Sequence, residues 1–424
     1  VIFKRIDNHR RFKLFYSPTD KFKTTTLRIF LKGGLADRVE EEAVLPFMLK
    51  RGSERYPTLK DISRRLEELY GAALSLDVAK IGEMQILVVS MDVVNPRFLK
   101  GSPPLLLDAV ETLNDVLLRP ILEDGVFPEQ RFQQEKTNLA RYVKSVIDDK
   151  GTYTHLRLLK EMFGGEAFGN YEWGEIGKVE ALDGGEVFRC YRRLFDEAPI
   201  DVYVVGSLSE EEERRLPDVL LPKERKNSED GPAAAGGHRT SNQEIVVEEQ
   251  PLEQSKFEMG FRVNLDCSER TFYALLLYNA ILGGGSFSKL FKKVREEDSM
   301  AYYISSSFEK LKGFMYVAAG IDGRNFETAT ARVRRCMDEM AAAEITDEEF
   351  DCARKSIINS LNSISDNPGQ TIEFDLVSRT AGRRTNIREI AEIIQGITKA
   401  QVGEAASQIL PGKTFFLKGN RAST

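Results

Sequence analysis

His9, His155 and His238 are the only histidines in this 424-residue chain. A hydrolytic zinc ion needs about three nitrogen, sulfur or carboxylate ligands and an open position for water. These histidines lie far apart, and none has a second histidine or a carboxylate at the spacing of a helical ligand pair. No Ser-His-Asp or Cys-His arrangement can be assembled either. The acidic clusters Glu40–Glu42, Glu210–Glu213 and Asp347–Glu349 could supply acid–base pairs. Their positions at helix starts make them solvated first-turn charges, favoured by the helix dipole. The triple glycine Gly283–Gly285 is followed by Ser-Phe-Ser-Lys, which breaks the P-loop spacing. It reads as a helix-ending turn that needs positive φ and close backbone approach.

The segment KKVREEDSMAYYIS carries a second kind of chemistry in Arg295 and Tyr302. An arginine there is either one more solvated charge or a fork of donors for a peptide carbonyl or carboxylate. Tyr302 is either a packed strand residue or a hydroxyl that orients such a group. Strand alternation sends Tyr302 and Tyr303 to opposite faces, so one can line a groove while the other packs. Neither Arg295 nor Tyr302 can activate water at neutral pH. Trp173, in the glycine-punctuated FGNYEWGEIG, reads as a loop anchor or the edge of a pocket.

The elements that would position these residues come in two similar sets. FKLFYSP (12–18) and TTTLRIFLKGG (24–34) alternate as strands and suggest an opening hairpin. An apolar helix near Ala43–Leu49, a second helix, a strand pair and a helix around Leu106–Leu117 follow. The strand IDVYVVG (200–206) closes this half. From EIVVEEQ onward the order repeats, ending in KTFFLKG (413–419), with Gly419 standing where Gly206 stands. Phe132, Leu139, Val143 and Val146 step by the same helical intervals as Phe350, Ile357, Leu361 and Ile364. Matched order and matched spacing point to a duplicated fold.

A chain of this length exceeds one hydrophobic core, which stops growing near about 250–300 residues. The division expected is 1–222, a Pro-, Gly-, Ala- and Ser-rich linker at 223–242, and 243–424. The net charge of −6 and the lack of a basic run argue against nucleic acid. No stretch reaches the roughly 18 apolar residues of a membrane span. The four cysteines, Cys190, Cys267, Cys336 and Cys352, include no C-x-x-C pair and read as reduced, packed thiols in a cytoplasmic setting.

ILGGGSFSKLFKKVREEDSMAYYISSSF (281–308) resembles the C-terminal-domain motif of the pitrilysin/insulinase family of zinc metallopeptidases. FMLKRGSERYPT (47–58) is similar to the stretch that follows that family's zinc motif, and the resemblance covers nearly the whole chain. By this resemblance, Arg295 and Tyr302 match residues that contact peptide substrate. The family's His-x-x-Glu-His falls on Ala43, Val44, Leu45, Pro46 and Phe47. Its third ligand, a glutamate seven residues after another glutamate, falls on Tyr142, with Glu135 matching the first of the pair. All the metal ligands and the general base are therefore missing together. Pro46 lacks a backbone N–H and should start or kink its helix. Phe47 suggests a site filled with core.

The resemblance implies an α+β fold of two duplicated domains. Each is a mixed, mostly antiparallel sheet with helices on one face, forming a metallopeptidase half-shell. It also implies a non-catalytic, substrate-binding subunit of a bacterial heterodimeric zinc endopeptidase that degrades or processes unfolded peptides. Arg295 and Tyr302 would serve the partner's active site. Zinc is expected on that His-x-x-Glu-His-bearing partner and not on this chain, and a homodimer is the other assembly considered. The alternative is an inactive scaffold subunit, or a peptide-binding protein outside proteolysis.

Overall fold

The computed structural model describes residues 3–6, 11–101, 105–221, 243–383 and 385–420. The linker expected at 223–242 lies outside them, as do His9 and His238.

In the first half, the strands are β1 (Lys4–Arg5), β2 (Lys13–Pro18), β3 (Thr24–Gly34), β4 (Ala73–Ile81), β5 (Met84–Val94) and β6 (Ile200–Gly206). The helices are α1 (Val39–Lys50), α2 (Leu59–Glu68), α3 (Leu105–Leu118), α4 (Glu129–Asp148), α5 (Lys150–Phe163), α6 (Ile176–Glu180), α7 (Gly184–Glu197) and α8 (Glu210–Val219). The second half holds β7 (Ile245–Gln250), β8 (Ser255–Val263), α9 (Glu269–Gly283), β9 (Ala301–Glu309), β10 (Phe314–Ile321), α10 (Phe326–Ala341) and α11 (Asp347–Ile364). It continues with α12 (Pro368–Thr380), α13 (Ile387–Gln395), α14 (Lys399–Ala405) and β11 (Ile409–Gly419).

The duplication is explicit in the topology. The first sheet runs β1-β2-β6-β3-β5-β4 and the second β7-β11-β8-β10-β9. Apart from β1, the orders are the same. In each sheet one pair is parallel, β2 with β6 and β7 with β11, and the rest are antiparallel. Gly206 pairs with the last residue of β2 and Gly419 with the last of β7, so the two glycines are equivalent. The expected opening hairpin does not form. The last strand of each half inserts between the first two, because a parallel pair is closed by a long crossover and not by a tight turn.

Two compact units emerge, one of Val1–Ser145, Asn170–Ala233 and Asn367–Val377, the other of Val146–Gly169, Ala234–Asp366 and Ser378–Thr424. They follow the expected division except in two segments. Helix α5 packs with the second unit, and most of α12 with the first.

In the first unit, Leu27, Ile29 and Leu31 of β3 and Val202 and Val204 of β6 face a core with Ala43, Val44, Leu45, Leu113 and Leu139. The other sheet face is also covered. Phe15, Phe30, Ile86 and Tyr203 pack with Ile372 and Leu376 of α12, and the Tyr203 hydroxyl donates to Asp375 at 3.1 Å. Burial on both faces explains why every residue of β6 is buried.

In the second unit, Leu158, Met162 and Phe163 of α5 pack on Phe314 and Phe415. Arg157 donates to Glu248 at 2.6 Å, and Arg262 to Glu166 at 2.6 Å. The helices therefore do not all lie on one face of each sheet: a single further helix covers part of the other. That was not legible locally, since α4 and α11 share one spacing. Phe132, Leu139 and Val143 are buried, whereas in the second set only Phe350 is.

Candidate functional site

Helix α1 carries the positions that match the family's metal motif. It begins after Arg38, whose φ of 62° is left-handed, and Pro46 sits inside it instead of starting it. An interior proline forfeits one backbone hydrogen bond and crowds the carbonyl four residues back, here Glu42, at a cost of about 3 kcal/mol. Packing compensates. Ala43 has no exposed surface and joins Val44 and Leu45 in the core.

The places of the second histidine and of the third ligand converge on one ring. Phe47 meets Trp173 edge-on, with centroids 6.0 Å apart, and Tyr142 meets it at 4.7 Å. Trp173 is only 7% exposed, so the loop-anchor reading holds, with the anchor seated against both replaced positions. Such edge-to-face pairs contribute about 0.5–1.5 kcal/mol each beyond area burial. Burial, followed by the charge of Asp77, raises the Tyr142 phenol above its ordinary pKa. Glu135 is buried in an ion pair with Arg51 and accepts from Asn138 at 2.9 Å. A methyl, a proline ring, a phenyl and a neutral phenol do not fit a divalent ion. Among the described residues no group of three His, Cys, Asp or Glu could hold one.

The acidic clusters differ from expectation, since each contributes buried carboxylates as well as solvated ones. Glu212 and Glu349 close capping boxes with Ser209 and Thr346. The Ser/Thr-x-x-Glu spacing was the available sequence signal. Glu40 accepts from the Glu175 amide at 3.0 Å. Glu42 is buried as well, and burial pushes its pKa up to about 8.

Arg295 and Tyr302 flank one turn in the second unit. Phe291–Glu297 is π-helical, a widened form often found at functional sites. The Met300 amide donates to the Val294 carbonyl at 2.9 Å, and Ser299 takes a φ of 49° to close the turn into β9. The Arg295 guanidinium is exposed and lies 4.7 Å from the centroid of Phe291.

Tyr302 is 62% exposed and Tyr303 38%, so the expected opposition of an outward and a packed tyrosine fails. The reason is a β-bulge. Ala301 pairs with Ile321 and Tyr303 with Gly320, leaving Tyr302 as the extra residue. A bulge re-aims side chains and disrupts the ladder locally. Tyr303 lies over Gly320, where a Cβ would come within 2.3 Å of its ring. Burial pushes its phenol up to about 12.

A buried ion pair supports this turn. Lys289 is 3% exposed and bonds Glu349 at 3.1 Å, and Lys293 reaches Glu339 at 2.5 Å. The triple glycine lies behind β9. Gly284 has φ −83°, so the expected positive φ is absent. The close approach is real, since a Cβ on Gly283 would lie 2.4 Å from the Ser306 amide. Strand β9 ends its sheet, which leaves an edge able to accept an extended chain. The arrangement can bind carbonyl or carboxylate oxygens through the Arg295 guanidinium and the Tyr302 hydroxyl.

The chain matches the family model described as "Peptidase M16 inactive domain" over residues 181–357. It is 29% identical to "Probable inactive metalloprotease YmfF" of Bacillus subtilis (strain 168), over 96% of this chain and 95% of that one. It is 20% identical to "Uncharacterized zinc protease YmxG" of the same organism, over 67% of this chain and 69% of that one. A crystal structure of a conserved protein from Enterococcus faecalis V583 superposes with a TM-score of 0.89 at 28% identity, covering 97% of each chain. The peptidase M16 inactive domain from Pseudomonas fluorescens shares the fold, with a TM-score of 0.77 at 17% identity and 100% coverage of both.

Fold and comparisons together define a two-domain α+β metallopeptidase homologue, with apolar and aromatic side chains at the positions that align by resemblance with the family's metal motif. The chain is thus similar to inactive homologues of the pitrilysin/insulinase (M16) family, with the family model matching residues 181–357. Among the described residues no helix is long and apolar enough to cross a membrane.

Proposed function

We propose that this chain is the non-catalytic, substrate-binding subunit of a two-chain zinc endopeptidase that handles unfolded peptides in the cytoplasm. The observation that carries this reading is a contrast within one molecule. Arg295 and Tyr302 stay exposed on a braced, bulged turn, while at the positions matching the metal motif Ala43 and Pro46 are buried and Phe47 and a 40%-exposed Tyr142 meet Trp173. A peptide adding along the β9 edge would be read mainly through its backbone. Arg295 would donate to its carbonyl or terminal carboxylate, and the Tyr302 hydroxyl would orient the same group. Zinc and general base would belong to the partner chain.

The test is affinity capture from the native host, followed by cleavage assays on the reconstituted pair. Arg295→Ala with Tyr302→Phe should remove about 2–4 kcal/mol of transition-state binding, roughly 30- to 1,000-fold in kcat/KM, without dissociating the pair. Unchanged cleavage would refute the assigned role. Capture of only this chain, as an assembly inert toward peptides with or without chelator, would favour the scaffold reading.

A further inference from the structure

Glu42 differs from the other buried carboxylates described above. Glu40, Glu135, Glu212 and Glu349 each have a hydrogen-bond donor or cation, as do Asp201, with Lys32 at 2.5 Å, and Glu258, with His155 at 3.0 Å. Glu42 is 8% exposed, and its buried Oε2 has no hydrogen-bond partner among the described residues. The fold makes room for it. A Cβ on Gly33 of β3 would lie 2.1 Å from Oε2 and 2.6 Å from Oε1. The carboxyl therefore occupies the place a side chain would fill.

This group lines an open cavity of about 410 Å³, with Lys32, Arg38, Cys190, Arg193 and Glu197 among its walls. That volume is in the range of small-molecule sites. A buried carboxyl oxygen without a donor is costly, and the Arg38 charge offsets that cost only in part. Burial raises its pKa, opposed by Arg38 and reinforced by Glu41. Lys32 is engaged by Asp201, and Arg193 lies 3.9 Å from Glu197. Cys190 is buried, and its thiol is pushed up as well.

We infer that the Glu42 cavity binds the primary ammonium group of a small molecule. An ammonium brings three donors on a compact cation, and its charge would hold Glu42 ionised against the burial that otherwise favours the protonated carboxyl. A divalent metal is a poor match, since Glu42 has no companion ligands within a group of three. The ammonium could come from a free amine or from the N-terminus of an amino acid or short peptide. In the second case Arg38 is placed to meet the carboxylate.

Titration calorimetry on the full chain with putrescine and with glycylglycine separates these sources, and acetylglycylglycine is the control without an ammonium. At least one amine probe should bind while the control does not, and whichever binds identifies the source. Glu42→Gln should weaken that binding at least tenfold. Gly33→Ala, which leaves Glu42 in place but displaces its carboxyl, should do the same, with both variants folded by circular dichroism. Failure of both amines to bind, binding of the acetylated control equal to that of glycylglycine, or equal affinity in Glu42→Gln would overturn the assignment.

Discussion

Helix α2 leads into β4 in the first unit, and the segment Phe291–Glu297 leads into β9 in the second. These are the same place in a duplicated fold. The first is a regular α-helix closed by a Thr58–Asp61 capping box. The second is π-helical and carries an exposed Arg295 toward a bulged Tyr302. In the first unit the positions matching the family's metal motif differ, with the rings of Phe47 and Tyr142 set edge-on against buried Trp173. Under the proposed function, the first unit would supply packing where the family has its metal site, and the second would supply the exposed Arg295 and Tyr302.

The largest expected effect comes from reversing the first unit's treatment. Ala43→His, Pro46→Glu, Phe47→His and Tyr142→Glu together should destabilise the chain by on the order of 5 kcal/mol, chiefly because polar groups replace buried Ala43 and Pro46. Denaturant melts and metal analysis check this, and a stable variant with one tightly held zinc would break the comparison. Trp173→Ala should cost about 4 kcal/mol, the scale of truncating a buried tryptophan. A loss under about 1 kcal/mol would mean that Phe47 and Tyr142 do not depend on it.

In the second unit, Lys289→Ala should cost about 3 kcal/mol by stranding Glu349 in the interior. It should also weaken peptide binding at the Arg295 turn, as read by fluorescence anisotropy. Lost stability with unchanged peptide affinity would separate the brace from the turn.

Glu42 supplies a pH test in the first unit. Its folded pKa of about 8 lies above the ordinary 4.5, so the folded chain holds a proton that the unfolded chain has lost. Stability should fall as pH rises from 4.5 to 8 and be flat with respect to this group outside that window. Glu42→Gln should flatten the slope and stabilise the chain at pH 8 by on the order of a few kcal/mol. Parallel pH–stability curves for the two proteins would contradict this. The smallest stability effect belongs to Arg295→Ala with Tyr302→Phe, within about 0.5 kcal/mol because both side chains are exposed.

Much of this was legible in the sequence for physical reasons. Threonines and alternating apolar residues located the strand 24–34, whereas 200–206, buried throughout, read as a short apolar run. Strand order was not legible: the insertion of β6 and β11 is a tertiary choice that leaves no local trace. The same holds for α5, whose apolar face does not reveal which sheet it covers. Tyr303 was misread because alternation assumes an unbroken ladder, and the bulge at Tyr302 breaks it. Glu42 was misread because a first-turn carboxylate is usually solvated. Only Gly33, distant in sequence, shows that this one has a slot.

The most direct test is the affinity of a labelled unfolded peptide for the intact chain, measured by anisotropy for wild type and for the Arg295→Ala, Tyr302→Phe variant. The account predicts at least tenfold weaker binding with an unaltered melting curve. Equal affinity in the two proteins would contradict it.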